Sequence, residues 1–200
     1  AAALDGFTLG PREADLFQDL AGVSADISIT CNHGKSNQIS FRENILFTHA
    51  GLSGPATLQA SLHWHKGESV TIDFLPSLTD QGKTLLTWII EKKKQNNRSL
   101  VKNLISELIP SRLADRFCYY YFSPDQYSTA LSPLPQVSEK ELAQLCQRIH
   151  QFEFVPAGTV GYNKAEVTRG GVDTQELSSK TMESKKVPGL YFIGEVIDVT

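Results

Sequence analysis

The segment from Tyr162 to Thr200, YNKAEVTRGGVDTQELSSKTMESKKVPGLYFIGEVIDVT, constrains this chain more than any other stretch. It reads as a strand over residues 165–168, a backbone break at Gly170-Gly171, a polar loop, and then Pro188-Gly189 opening a nearly continuous apolar run, Leu190 to Ile193. An apolar run without alternation predicts a strand covered on both faces, as in parallel sheets flanked by helices. The run ends at Gly194-Glu195, where a residue without a side chain is followed by a carboxylate. Ligands of open α/β sheets sit beyond the carboxyl ends of such strands, so Gly194 and Glu195 are the expected place for one. A single terminal strand is not a sheet, and the rest has to be found elsewhere.

The chain before it supplies strands first and helices second. Turn signals at Gly6 and Gly10-Pro11 make residues 1–19 an N-terminal segment ordered in part at best, with a short helix from Glu13 to Leu20 that Gly22 stops. Four runs then favour half-buried strands: Val23-Ala25-Ile27-Ile29, Ile39-Phe41, Ile45 to Phe47, and Val70-Ile72-Phe74. The turn 32–35 and the pair Glu43-Asn44 are expected to join the first three as antiparallel hairpins. Gly54-Pro55 predicts a helix with proline at its first position and Leu58 and Leu62 on its buried face. From residue 78 to 150 the pattern is helical: Thr79, Ser99 and Ser111 stand before amphipathic stretches, a Pro-rich connection follows over 123–135, and Ser138-Glu139-Lys140-Glu141 is a capping box ahead of Leu142, Leu145, Cys146 and Ile149. Phe152 and Phe154 alternate in a strand returning to the sheet. The predicted fold is therefore α+β: a small antiparallel β sheet or barrel over 20–77 and 151–160, a helical subdomain over 78–150, and a return segment over 161–200.

Composition narrows the partners. The chain is 40% hydrophobic and 20% charged, in the ordinary globular range, and its formal charge of −3 gives no electrostatic case for nucleic acid or an anionic membrane. No apolar stretch approaches the ~18 residues of a membrane span, and AAALDGFTLG has no basic, then apolar, leader pattern, so the expected location is the cytoplasm. Cys31, Cys118 and Cys146 are too far apart for a C-x-x-C motif and read as reduced, buried thiols.

Three segments, AEVTRGGV, TMESKKVPGLYFIGEVIDV and ILFTHAGLSGPATLQAS, resemble the bacterial aminoacetone-oxidase-like FAD-dependent oxidoreductases, over about residues 20–200. In that family a two-part FAD domain is interrupted by a long insert and resumes through a VT-x-GGV segment. The resemblance implies that this chain is the insert domain plus the return strand of a longer flavoprotein, linked to NAD(P)H, with the FAD-binding domain of the same polypeptide as its partner. It also implies FAD contacts at Gly170, Gly171, Gly194, Glu195 and Asp198. The Gly194-Glu195 pair stands where related proteins place Gly-Asp against the ribityl chain, with glutamate in place of aspartate. No G-x-G-x-x-G occurs, so the phosphate-binding loop is expected on the partner domain. One or two charge-assisted hydrogen bonds of ~1.5–3 kcal/mol each barely reach the ~4 kcal/mol of a millimolar complex, so the chain alone is expected neither to hold FAD nor to be active.

No catalytic acid or base is assigned, because hydride chemistry would belong to the flavin. His63 and His65 flank Trp64, and His33, His49 and His150 stand alone, without the ligand spacing of a metal site. His49 is expected to be hydrogen-bonded at a strand-to-turn junction. Two other functions remain: a non-catalytic module binding a protein or ligand, and a hydrolase using Ser53. The second is weakened because Pro55 stands where a nucleophile elbow has its last glycine, leaving Ser53 a capping or turn role. Lys92-Lys93-Lys94, with Arg98 and Lys102 nearby, reads as the solvated end of a helix.

Overall fold

The computed structural model describes residues 2–33, 37–121 and 132–198. Its centre is a seven-stranded antiparallel sheet. The longest pair is the hairpin of β3 (Ser24–His33) and β4 (Asn37–Thr48), in register from Ser24 opposite Leu46 to His33 opposite Asn37. Its tip, residues 34–36 and so part of the expected 32–35 turn, lies outside the described residues. Beyond β3 come β6 (Val70–Asp73) and β7 (Phe152–Phe154); beyond β4 come β5 (Gly51–Ser53), β2 (Phe7–Thr8) and β8 (Gly158–Thr159). The two edge strands, β7 and β8, are consecutive in sequence, with only residues 155–157 between them. Each residue reaches at most ~3.6 Å, so the sheet must curl until its edges approach. The sheet is barrel-like for that reason.

Period-two burial fixes which face is inside. Ala25, Ile27, Ile29 and Cys31 of β3 and Ile45 and Phe47 of β4 are buried. Helix α2 (Pro55–His63) crosses this face, starting at Gly54, and the Cys31 thiol donates to the Ala60 carbonyl at 3.3 Å. The buried residues of α2 are Ala56, Thr57, Ala60 and Ser61, not Leu58 and Leu62 as expected, because only small side chains let the helix lie this close to the sheet. The expected turn at Glu43-Asn44 is absent among the described residues. These two residues pair with Ile27 and Asp26 in one continuous β4, and since both are exposed the ladder carries them without desolvation.

The N-terminal segment departs furthest from expectation. Residues 2–3 form β1 (Ala2–Ala3), β2 supplies a strand between β5 and β8, and Phe7 is fully buried against Trp64, with ring centroids 5.3 Å apart. Helix α1 (Pro11–Leu16) follows, shorter than the expected span.

The helical part consists of α3 (Pro76–Asp80), α4 (Leu85–Lys94), α5 (Val101–Ile105), α6 (Ser111–Tyr121) and α7 (Glu139–His150). Thr84, not Thr79, caps α4, because Thr84 has Thr87 at the position that returns the bond, whereas the Thr79 hydroxyl donates to Asp73 at 2.7 Å. Ser99 is not the cap of α5; Leu100 occupies that position without a side-chain bond. The capping box of α7 forms as expected, Ser138 accepting from the Glu141 amide and Glu141 from the Ser138 amide. Most of the Pro-rich connection lies in residues 122–131, outside the described residues; Leu134–Gln136 form a 3₁₀ turn.

One continuous core joins sheet and helices. Phe17 meets Phe47 at 4.9 Å and Phe152 at 5.2 Å, and Phe74 meets Phe117 at 5.0 Å, so aromatic rings from the end of α1, the central strand β4, the edge strand β7 and α6 interlock. Among the described residues no helix is long and apolar enough to cross a membrane.

Candidate functional site

The chain leaves the barrel at residues 160–161 under the control of a buried carboxylate. Asp5 is fully buried; its Oδ1 accepts the Gly6 amide at 2.8 Å, its Oδ2 accepts the Gly161 amide, and its own amide donates to Ser61 Oγ at 2.9 Å. A buried carboxylate needs such partners to offset its desolvation. The terminal segment then pairs as β9 (Val167–Thr168) with β1, a shorter strand than the expected 165–168. Arg169 donates to the Leu62 carbonyl in the last turn of α2, fixing the loop that follows to the barrel.

That loop is Gly170-Gly171. Gly170 has φ +87°, with open space where a Cβ would stand. Gly171 faces the opposite situation: a Cβ there would lie 2.3 Å from the Val196 carbonyl oxygen, so no other residue lets the two backbones approach this closely. Val172 and Ile197 form a parallel bridge, with Val172 N donating to Val196 O at 2.8 Å and Asp198 N to Val172 O at 3.0 Å. The five residues expected at a cofactor, Gly170, Gly171, Gly194, Glu195 and Asp198, are thus gathered around one bridge. Gly194 opens a 3₁₀ turn through Val196 with φ +78° and no atom within 4 Å of a Cβ position, and Glu195 and Asp198 are exposed.

The apolar run before it is not a covered strand. Tyr191 makes a lone bridge to Glu183, while Leu190 is 41% exposed, Tyr191 56%, Ile193 77% and Val196 50%. Residues 182–184 take up part of its backbone, Ser184 N donating to Leu190 O at 2.7 Å and Phe192 N to Met182 O at 3.1 Å, but among the described residues nothing covers the side chains of Leu190, Tyr191 and Ile193, so the pattern written for a buried strand lies on the surface. Among the described residues of this terminal segment, Leu177 and Ile197 are the buried hydrophobics.

The arrangement offers a backbone cradle with room beside Gly170 and Gly194 and two carboxylate acceptors. That set suits a flat, polyhydroxylated group held by hydrogen bonds, and it contains no nucleophile. The other candidates fall away from it. Ser53 lies in β5 opposite Leu46, and among the described residues no histidine is hydrogen-bonded to its hydroxyl; it does not cap α2 either. His63 stacks on Phe41 with centroids 5.4 Å apart, and His65 contacts Glu68 at 3.3 Å. His49 is exposed and, among the described residues, lacks the expected hydrogen bond. Burial pushes the thiols of Cys31 up to about 11 and of Cys118 and Cys146 up to about 12, which leaves them protonated and inert.

Sequence reasoning missed one acid–base pair. His150 Nδ1 donates to Asp73 Oδ1 at 2.9 Å, while its Nε2 accepts the Leu85 amide at 2.8 Å. The tautomer is therefore set, and both ring nitrogens are used to tie α7, β6 and α4 together, so the pair is structural. Nothing local announced it, since its members are 77 residues apart.

Residues 1–167 match the model of the HI0933-like protein barrel and H2TH domain, in agreement with the curled sheet and the helices packed on it. The whole chain is 43% identical over 199 residues to a ribosomal RNA dihydrouridine synthase of Escherichia coli and 42% identical over 200 residues to one of Haemophilus influenzae, in each case covering 46% of the relative. A 3-dehydro-bile acid delta(4,6)-reductase of Clostridium scindens is 26% identical over 190 residues, which are 92% of this chain and 44% of that protein. The chain spans about half the length of the curated relatives it matches. Their names are those of a synthase and a reductase, where the resemblance in the sequence pointed to aminoacetone oxidases. By its barrel, its helices and the extent of the match, the chain belongs to the HI0933-like protein family.

Proposed function

We propose that this chain is the barrel and helical portion of a FAD-dependent reductase that saturates a carbon–carbon double bond conjugated to a carbonyl, and that its substrate is a uridine of ribosomal RNA. Two lines support the reading. The relatives' names describe one chemistry: dihydrouridine differs from uridine by two hydrogens across the ring double bond next to a carbonyl, and a 3-dehydro-delta(4,6) steroid carries a conjugated enone. Such a reduction needs a hydride and a proton, and a flavin reduced by NAD(P)H would supply the hydride.

The observation that carries the reading is the Val172–Ile197 bridge, which draws together the two glycine-bearing segments that resemble the flavin edge of the FAD domain. In the proposed arrangement Gly170 and Gly194 leave room for the flavin, Glu195 and Asp198 accept hydrogen bonds from its ribityl hydroxyls, and Gly171 holds the two segments in contact. The remaining part of the polypeptide supplies the phosphate-binding loop and covers Leu190, Tyr191 and Ile193. The barrel and helices shape access to the flavin. Deleting the gene and measuring dihydrouridine in nucleosides digested from the cell's ribosomal RNA tests this: loss of the modification, restored by the gene, is expected, and an unchanged content refutes the rRNA substrate.

A further inference from the structure

We propose that the cleft between α1, the turn joining β4 to β5, and the start of α6 binds one nucleotide of a single-stranded RNA segment, the phosphate at Arg112 and His49. The inference rests on the rRNA reading above and adds the surface that takes the strand. The cleft measures about 610 Å³, within the ~300–1,000 Å³ of small-ligand sites. Its lining includes the buried Phe17 and Phe47, whose rings pack on each other. Its rim carries His49, Arg112, Gln18 and Asp19, all exposed.

Two features separate this cleft from an incidental surface hollow. Among the described residues, neither His49 nor Arg112 has a hydrogen-bond or ion-pair partner, whereas Lys92 meets Glu107, Lys102 meets Asp115, and Arg116 donates to carbonyls of Asp15 and Leu16. The turn that carries His49 is also rigid. Thr48 Oγ1 donates to Gly51 O at 3.0 Å, and Gly51, at φ +137°, lies so close to β2 that a Cβ would stand 2.1 Å from the Phe7 carbonyl oxygen. THAG in the strand-to-helix block thereby acquires a purpose the cofactor site does not give it: to hold an imidazole at the rim on a fixed backbone.

The chemistry selects a nucleotide over a bare anion. A guanidinium offers paired N–H donors to phosphate, and an imidazole lining the same cleft adds another. Asp19 would repel a free anion, but its carboxylate can accept a ribose 2′-hydroxyl or a uracil N–H, the contacts that mark RNA. A second cleft of about 290 Å³ shares Arg112 and is otherwise lined by Lys102, Asn103, Ser106, Ser111 and Asp115, so polar surface continues beyond Arg112.

The test is fluorescence anisotropy of a short labelled single-stranded oligouridylate with the protein expressed from its complete gene. Arg112→Ala and His49→Ala together should weaken binding about tenfold or more, Arg112→Ala alone should reduce the log–log salt slope by about one, and Arg98→Ala should leave both unchanged. Equal binding by wild type and the double variant overturns the site while leaving the rRNA substrate standing. Absence of RNA binding by the wild type overturns the site, and the dihydrouridine measurement then decides separately whether the substrate reading survives. Displacement of the RNA by NADH or NADPH, with the same loss in the variants, assigns the cleft to the reductant and overturns the proposal. Circular dichroism of the variants, whose changed side chains are exposed, excludes misfolding as the cause.

Discussion

Asp73 shows how one carboxylate can hold two halves of a molecule together. Burial acts to raise its pKa, but hydrogen bonds from His150, Thr79 and the Leu75 amide outweigh it and hold the group below its ordinary value of 3.8. A carboxylate depressed in the folded state contributes stability that is complete above the unfolded pKa and is lost as pH falls through the folded one. Denaturant unfolding should therefore show stability level at neutral pH and falling below about pH 4, with the fall reduced in Asp73→Asn. His150→Ala leaves the Leu85 amide without its partner and removes one of the two donors to Asp73 Oδ1, the Leu75 amide remaining, and should cost about 1–3 kcal/mol in the same measurement. Of these residues the sequence revealed only that His150 lacks metal-ligand spacing. Its role depends on contacts across 65 and 77 residues, which periodicity cannot report. The glycines proposed for the cofactor stand out in the sequence for a different reason. Glycine pairs beside strands are visible in one dimension, although the reason Gly171 must be glycine, the Val196 carbonyl, appears only when the two segments meet.

At the scale of elements, what was legible is what is locally determined. Helix α7 announced itself because its capping box and its apolar stripe, Leu142, Leu145, Cys146 and Ile149, lie within 12 residues. Ser138→Ala removes the cap and should destabilise the protein by about 1 kcal/mol, read as a lower urea midpoint at unchanged slope. The long hairpin of β3 and β4 was half legible: alternation marked the buried positions, while Glu43 and Asn44 imitated a turn. Short strands left no trace, because β1, β2, β8 and β9 have two residues each and two residues have no period. The run from Leu190 to Ile193 misled in the opposite direction. Its composition reports an environment, burial on both faces, that the described residues of this chain do not provide, and sequence cannot say which neighbour will cover it.

For the whole molecule, the α+β class with a barrel and helices followed from the order of strand and helix patterns, but the closure did not, since it depends on β7 and β8 lying either side of a three-residue link. The net charge of −3 led to an expectation of no nucleic-acid partner. Net charge is a sum over the surface, whereas a strand of RNA is held by a few cations in one place, and the cleft lined by Arg112 and His49 is such a place in the reading proposed above. The central claim is that the Gly170-Gly171 and Gly194–Asp198 segments form the edge of a flavin site. Its most direct test is the visible absorbance of the protein expressed from its complete gene and incubated with FAD, compared with Gly194→Val. Bound-flavin bands in the wild type, lost in a variant that remains folded, are expected; a colourless wild type, or a variant that retains its full flavin, would contradict the claim.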